Sequence, residues 1–318
     1  MKTILITGGA GFIGSHITDK LLDQGHGVIC LDSFNTFYDP KIKHKNLENA
    51  KAYKNFKLYQ GSILDKDCLD NIAKNHQFTA IIHLAAYAGV RPSIESPDLY
   101  YSTNVEGTRN IFDLAVNSNC NRVLMASSSS VYGNNKKVPF SETDSVDRPI
   151  SPYAATKKMT EIMAYNYHVL HNLQISCLRF FTVYGPRQRP EMAIHKFCKM
   201  ILNNEPIPVY NHGNCLRDYT YVDDIVQGVM AILNSPKLTF DVVNLGESQT
   251  ISTLDLIKLI EQQCGKKAIL NLMESQQGDV EKTFADITYA KQTYSYNPQY
   301  PIEKGIKEFV TWYLTRLS

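Results

Sequence analysis

Short apolar runs alternate with helix-length segments through the first half of the chain. The runs are rich in Ile, Leu and Val, as expected for strands that are buried on both faces. Because parallel strands need crossover connections, this alternation predicts an α/β fold with a doubly wound parallel sheet. The predicted strands are residues 3–7, 27–31, 56–60, 80–84, 122–126 and 175–179.

The pattern changes after Phe180, where Pro, Asn and Gly become frequent and the apolar runs become shorter. A chain of 318 residues is long enough for about two domains. We therefore expect residues 1–180 to form the sheet domain, with some later segments returning to it, and residues 181–318 to form mainly a smaller α/β region. Amphipathic helices are predicted at residues 222–233, 254–264 and 302–317.

Composition excludes several classes of partner. There are 33 Lys and Arg residues against 31 Asp and Glu residues, so we expect no nucleic-acid binding. No apolar run reaches the ~18 residues of a transmembrane helix, and glycines interrupt the N-terminal run before it could act as a signal sequence. The seven cysteines include no C-x-x-C pair, which favours neither disulfides nor a metal site. The expected compartment is the cytoplasm, without membrane association.

The first predicted strand leads directly into a glycine loop with the spacing Gly8-x-x-Gly11-x-x-Gly14, and a helix pattern follows. This spacing allows a tight turn and lets the backbone approach a pyrophosphate at the helix N-terminus. Asp32 ends the next strand, where a carboxylate accepts hydrogen bonds from an adenosine ribose. No Arg or Lys immediately follows Asp32 to pair with a 2′-phosphate, so NAD is favoured over NADP. The alternatives are a bare glycine turn and a solvated Asp at a strand end.

A second group of residues suits the oxidation of a hydroxyl. Tyr153 and Lys157 are four residues apart in a predicted helix, so their side chains lie on one face. A phenol with a pKa near ~10 is a poor base, but the ammonium and a nicotinamide cation would both favour the phenolate. Ser128 and Ser130 follow the strand at 122–126 and point the same way if that strand continues, so they could hold a substrate hydroxyl against Tyr153. The alternative is a surface Tyr–Lys pair.

Four features together resemble the extended short-chain dehydrogenase/reductase family. They are the glycine loop, the serine-rich strand end with its Val-Tyr-Gly, the Tyr153/Lys157 pair and the Arg-Asp-Tyr-Thr-Tyr-Val-Asp-Asp stretch at 217–224. Within that family of NAD-dependent enzymes, residues 32–39, 83–91, 178–190 and 277–280 resemble UDP-glucuronate 4-epimerases. The resemblance spans essentially the whole chain. It implies a Rossmann-type NAD-binding sheet domain, a substrate-binding second region and a role in carbohydrate metabolism, with polysaccharide biosynthesis as the expected use.

The resemblance also implies a reaction cycle and its residues. NAD stays bound while Tyr153 removes the C4 hydroxyl proton of a UDP-sugar, C4 passes its hydride to nicotinamide, and the turned 4-keto sugar takes the hydride back on its other face. Arg217 would hold the diphosphate, Asp279 the uridine ribose, and Val209 would form part of a wall against uracil. The expected cofactor contacts are Gly8, Gly11, Phe12, Ile13, Gly14, Asp32, Ser62, Ile63, Leu84, Ala85, Ala86, Asn104, Tyr153 and Lys157. The expected substrate contacts are Arg91, Ser128, Ser130, Thr182, Arg189, Val209, Arg217 and Asp279, with Tyr153, Lys157, Ser128 and Ser130 catalytic.

The choice of sugar depends on two further residues. If the sugar is glucuronate, oxidation at C4 creates a β-keto acid, which loses carbon dioxide when the breaking bond aligns with the carbonyl π system. Thr182 and Arg189 flank a turn after the strand at 175–179 and could clamp the carboxylate out of that alignment. The alternative is that Thr182 caps the strand and Arg189 is a loop cation.

Other activities remain open. UDP-glucose or UDP-N-acetylglucosamine could be the epimerised substrate. Related dehydratases and decarboxylases typically carry a Glu just before the Val-Tyr-Gly, where this chain has Ser130. A non-enzymatic NAD-binding sensor is disfavoured by the intact Tyr153 and Lys157.

A homodimer is expected from two helices, residues 104–116 and 153–171. Their apolar residues exceed what a sheet alone needs, although these faces could also simply cover the sheet. The residues concerned are Val105, Ile111, Phe112, Met159, Ile162, Met163 and Val169.

Overall fold

The computed structural model describes residues 2–236, 239–274 and 282–316. The strands are β1 Thr3–Thr7, β2 Gly27–Asp32, β3 Phe56–Gln60, β4 Ala80–His83, β5 Arg122–Ser128, β6 Gln174–Phe180, β7 Thr182–Tyr184, β8 Pro206–Val209, β9 Leu216–Arg217, β10 Tyr219–Tyr221, β11 Asp241–Leu245, β12 Ile251–Ser252 and β13 Ile269–Leu272. The α-helices are α1 Phe12–Asp23, α2 Pro40–Asn46, α3 Lys66–Asn75, α4 Val90–Glu95, α5 Pro97–Tyr100, α6 Gly107–Asn117, α7 Pro152–His171, α8 Ala193–Leu202, α9 Val222–Asn234, α10 Thr253–Cys264, α11 Thr288–Tyr294 and α12 Ile302–Leu314.

The main sheet has the strand order β11-β6-β5-β4-β1-β2-β3, and every neighbouring pair is parallel. The predicted doubly wound α/β fold is therefore confirmed. All six predicted strands are present, with ends within two residues of the prediction. The strand order reverses between β1 and β4, and in such sheets ligands bind beside the carboxyl ends of the strands at that point.

The alternation of side chains along β1 connects the sheet to both helical layers. Ile4 and Ile6 belong to one apolar cluster with Ile17 of α1, whereas Leu5 belongs to another with Ile111 of α6. All five of these residues are fully buried. Since packed interiors resist deformation, these layers hold the carboxyl edge of the sheet in a fixed geometry.

The later part of the chain combines short strand pairs with helices. β7 pairs with β10, β8 with β13 and β9 with β12. Helix α10 packs against α8 and α12. In contrast to these elements, β11 joins the main sheet beside β6.

The apolar residues of the two helices proposed for dimerisation have different surroundings. Ile111 and Phe112 are fully buried, so counting them in a surplus apolar face was wrong, because α6 uses them to cover the sheet. On α7, exposed apolar residues lie along one face, most of them three or four positions apart. They are Met159, Ile162, Tyr165, Val169 and Leu170, with exposed fractions of 46 to 66%.

Candidate active site

A cavity of about 720 Å³ opens at the carboxyl edge of the main sheet. The β1–α1 loop, the ends of β2, β4 and β5, the start of α7 and the loop between β7 and α8 all contribute to its wall. Among the expected site residues it is lined by Gly8, Gly11, Phe12, Ile13, Gly14, Asp32, Ser62, Ile63, Leu84, Ala85, Ala86, Ser128, Ser130, Tyr153, Lys157, Thr182, Arg189 and Arg217.

The glycine loop leaves room that side chains would fill. Gly8 has a φ of +71°, and a Cβ added there would lie 2.8 Å from the backbone nitrogen of Ala85. A Cβ at Gly14 would lie 2.2 Å from the carbonyl oxygen of Gly8. Helix α1 begins here without a side-chain cap, so its first N–H groups can donate to a phosphate. The loop therefore fits the pyrophosphate of a dinucleotide.

Asp32 lies beside this loop and is 6% exposed. Its carboxylate accepts hydrogen bonds from the backbone nitrogens of Ala10 at 3.1 Å and Phe34 at 2.9 Å. Sequence reasoning missed a cation at this point: Lys43 Nζ lies 3.8 Å from Asp32 Oδ1 and donates to Asn35 Oδ1 at 2.8 Å. Burial lowers the pKa of Lys43, while the Asp32 carboxylate raises it. Lys43 also lines the cavity, but no local sequence signal marks it, because α2 returns to Asp32 only through the intervening loop.

Tyr153 and Lys157 both lie on α7, beside the end of β5. Lys157 Nζ donates to the carbonyl oxygen of Ala126 at 2.8 Å. Burial lowers the pKa of Lys157 to about 8, although Glu161 raises it. Burial raises the pKa of Tyr153, while a hydrogen bond with Ser128 lowers it. The expected lowering of the Tyr153 pKa by the Lys157 ammonium is not among the shifts in this structure, because Lys157 is directed to a carbonyl group.

The serines adopt a different backbone from the one expected. The strand ends at Ser128, and Ser129–Tyr132 form a 3-10 turn. Ser130 donates its backbone N–H to Ser128 Oγ at 3.2 Å, which caps this turn. The premise that the strand continues to Ser130 was therefore wrong, yet both serines line the cavity. Within the described residues the buried Ser130 Oγ has no hydrogen-bond partner, which suits a ligand hydroxyl.

Two cations enter the cavity from the second half of the chain. Arg189 Nε lies 2.9 Å from Glu191 Oε1, and its guanidinium is 5.8 Å from the centre of the Phe37 ring. Its charge lowers the pKa of Tyr153, so it lies toward the catalytic end of the cavity. Arg217 belongs to β9 and donates from Nη1 to the carbonyl oxygen of Leu216 at 3.0 Å.

Three expected site residues in the described part of the chain are not part of the cavity wall. Asn104 donates from its amide to Tyr87 O at 3.0 Å and Thr156 Oγ1 at 3.1 Å, so its side chain braces the structure behind the wall. Arg91 and Val209 also do not line the cavity: Arg91 stacks 4.5 Å above the Tyr210 ring, and Val209 is fully buried in β8. Asp279 lies outside the described residues.

The family model for GDP-mannose 4,6 dehydratase matches residues 5–309. The chain belongs to this family. The UDP-glucuronate 4-epimerase of Thermodesulfobacterium geofontis is 41% identical over 98% of this chain and 96% of its own length. The predicted resemblance to NAD-dependent nucleotide-sugar epimerases is confirmed.

Two solved structures have folds similar to that of this chain. The crystal structure of UDP-glucuronic acid 4-epimerase from Bacillus cereus, in complex with UDP-glucuronic acid and NAD, is 33% identical with a TM-score of 0.94, over 99% of this chain and 100% of that one. The structure of UDP-glucose 4-epimerase from Thermotoga maritima with UDP-glucose is 31% identical with a TM-score of 0.90, again over 99% and 100%.

In the described ranges, no group of three His, Cys, Asp or Glu residues is arranged to hold a metal ion. In the same ranges, no helix has the length and apolar character needed to cross a bilayer. All seven cysteines are free thiols.

Proposed function

We propose that this chain converts UDP-glucuronate to UDP-galacturonate by transient oxidation at C4 with a retained NAD. The observation that carries the proposal is one cavity lined by the glycine loop, the Tyr153/Lys157/Ser128 group and Arg189. The reaction needs three parts: a loop that binds a dinucleotide, a group that oxidises a hydroxyl, and a cation that binds a carboxylate.

The chain's own residues handle the proton. The Ser130 hydroxyl and Ser128 hold the C4 hydroxyl of the sugar against Tyr153, which removes its proton as C4 becomes a ketone and returns the proton when the ketone is reduced. Lys157 supports the phenolate with its charge. Bound NAD would supply the acceptor for the C4 hydride and the donor for its return. Asp32 would hold the adenosine ribose, and the first N–H groups of α1 the pyrophosphate.

The carboxylate of the oxidised sugar must be restrained. Decarboxylation breaks the C5–C6 bond, releases carbon dioxide and sends the electron pair into the C4 carbonyl, after which C5 takes up a proton to give a 4-keto pentose. This electron flow requires the C5–C6 bond to stand parallel to the carbonyl π orbitals. Thr182 and Arg189, by directed hydrogen bonds, hold the carboxylate so that the bond lies away from that alignment.

The nucleotide end of the substrate is assigned to the second half of the chain. Arg217 binds the diphosphate, which fixes the UDP while the sugar turns. Asp279 is proposed for the uridine ribose and Arg91 for a further polar contact. Val209, fully buried in β8, would support the uracil wall only from behind. Asn104 would act on the cofactor only indirectly, through the segment that carries Tyr87.

The test is turnover without added cofactor. The purified protein is incubated separately with UDP-glucuronate, UDP-glucose and UDP-N-acetylglucosamine, and the products are identified by NMR. We expect UDP-galacturonate from the first and slower or no conversion of the others. Preferred turnover of a neutral UDP-hexose would move the proposal to that substrate, and a pentose as the main product would make the chain a decarboxylase.

We also propose a homodimer in a reducing, cytoplasmic setting. The exposed apolar face of α7 supports the dimer, and Ile94 and Leu99, also exposed, come from helices that pack against α7. An extended apolar face on a folded surface is typical of an interaction site. Free thiols at all seven cysteines fit a compartment where glutathione keeps them reduced.

A further inference from the structure

We propose that Glu191 is a positioning residue, which orients the Arg189 guanidinium so that both of its Nη groups face the substrate carboxylate. This inference rests on the proposed function, because it needs a carboxylated sugar. The ion pair joins Glu191 Oε1 to Arg189 Nε, at 2.9 Å. Within the described part of the chain, no hydrogen bond or ion pair occupies Nη1 or Nη2. Those two groups can therefore bind a carboxylate in a bidentate way.

The loop between β7 and α8 is anchored around this pair. The carbonyl oxygen of Pro186 accepts a hydrogen bond from His16 Nε2 at 2.9 Å, and Arg187 Nη2 lies 2.7 Å from Asp19 Oδ2. These contacts join the loop to α1 and fix its backbone. The long side chain of Arg189 is not fixed by them, and it would lose rotamer freedom on meeting a ligand. Glu191, by pairing with Nε, restricts the rotamers of Arg189 before the ligand binds.

The surroundings of the pair indicate which way the guanidinium faces. Phe37, which also lines the cavity, lies 5.8 Å from the guanidinium. The Arg189 charge lowers the pKa of Tyr153 and that of Tyr100, whose rings are 6.2 Å apart. Glu191 is 41% exposed in its side chain and Arg189 only 23%, so the carboxylate lies on the solvent side of the pair. With Nε paired on the more exposed side, the remaining donors of Arg189 are available to the cavity that this residue lines.

The experiment compares Glu191→Ala and Glu191→Gln with Arg189→Ala and the double variant Arg189→Ala/Glu191→Ala. UDP-glucuronate and UDP-glucose are the substrates, and NMR measures the fraction of 4-keto pentose along with kcat/KM. We expect Glu191→Ala to lower kcat/KM for UDP-glucuronate by roughly two- to fivefold, the scale of a partly exposed ion pair, and to raise the pentose fraction. Glu191→Gln keeps an acceptor for Nε and should restore most of both values, while UDP-glucose turnover should hardly change.

The double variant separates action through Arg189 from any other effect. If Glu191 acts through Arg189, removing it in the Arg189→Ala background should change neither the pentose fraction nor kcat/KM. Asp255→Ala is the matched control, because it breaks an exposed ion pair with Lys258 on α10, away from the cavity and from the loop that carries Arg189. It should leave the pentose fraction unchanged.

Several results would overturn the inference. An unchanged pentose fraction in Glu191→Ala would do so, as would a Glu191→Ala effect that persists without Arg189. Tighter binding of UDP-glucuronate in both Glu191 variants would identify Glu191 as a competitor of the substrate. If the unaltered chain turns over only neutral UDP-hexoses, the proposed function fails and this inference fails with it; the other three outcomes leave the proposed function standing.

Discussion

Removing the phenol oxygen of Tyr153 is the most direct change that can be made to the proposed chemistry. Tyr153→Phe should lower epimerisation by about 100- to 10,000-fold, the usual cost of losing a general base. The fold and UDP-sugar binding should persist, since the ring remains. Turnover by NMR and binding by calorimetry measure the two effects. Tyr165→Phe is the control, because Tyr165 lies on the same helix but is 56% exposed; normal turnover in Tyr153→Phe would remove Tyr153 from the mechanism.

Arg189 should distinguish a carboxylated sugar from a neutral one. Arg189→Ala is expected to lower UDP-glucuronate turnover by about 10- to 100-fold, or to divert the sugar to a 4-keto pentose. The factor corresponds to the usual contribution of hydrogen bonds to a charged group. Turnover of UDP-glucose should fall much less. Product analysis with both substrates makes the comparison, and equal losses without pentose would mean that Arg189 does not contact the carboxylate.

Asp32 and Lys43 together should set the choice of dinucleotide. The unaltered chain is expected to purify with NAD(H). Asp32→Ala should weaken NAD by roughly 10- to 100-fold through lost ribose hydrogen bonds, and far more than Tyr153→Phe does. It should also improve NADP relative to NAD, because Lys43 is left without its carboxylate. Titration of dinucleotide-free protein measures both.

The matched variant for this prediction is Asp32→Ala/Lys43→Met. It removes the cation as well, so any gain in NADP binding should disappear. Tighter binding of NADP than of NAD by the unaltered chain would contradict the role given to Asp32.

At the scale of elements, Asp218 joins segments that are distant in sequence. Its carboxylate accepts backbone N–H groups from Glu247 at 2.9 Å, Ser248 at 3.1 Å and Ala285 at 3.0 Å. Asp218→Asn turns an NH₂ group toward some of these donors. Because each buried donor left unsatisfied costs about 1–3 kcal/mol, we expect a loss of roughly 2–5 kcal/mol in the free energy of unfolding. Urea titration measures it, with the exposed Asp255→Asn as control; a loss below 1 kcal/mol would refute this role.

Elements that depend on local pattern could be predicted, and contacts that depend on loops could not. Most strands of the main sheet are apolar runs because both of their faces are buried, so their ends follow from the sequence. The edge strand β3 is the exception, since Lys57 and Gln60 are exposed. The turn at Ser130 was missed because a side-chain cap by Ser128 competes with strand continuation. Lys43 was missed because its approach to Asp32 depends on the path of the intervening loop. The division of the chain at residue 180 and the roles of the site residues stay predictions.

At the scale of the whole molecule, the face of α7 should govern assembly. Ile162 is 59% exposed and lies near the middle of that face. Ile162→Glu places a charge where a partner would bury it, which is costly without a counter-charge. Light scattering should give a dimer for the unaltered chain and the 36.0 kDa monomer for the variant. Leu314→Glu, on α12 and 41% exposed, is the control; a monomeric unaltered chain at micromolar concentration would refute the dimer.

The position of β11 has a consequence for synthesis of the protein on the ribosome. Strand β6 ends at Phe180, but the strand that covers its outer edge is Asp241–Leu245. A nascent chain that has emerged only as far as β6 exposes an unpaired, apolar strand edge until the intervening residues are made. Such edges pair readily with other chains. The growing polypeptide should therefore depend on chaperones most strongly in this interval, and a gene fragment that stops after β6 should yield aggregates.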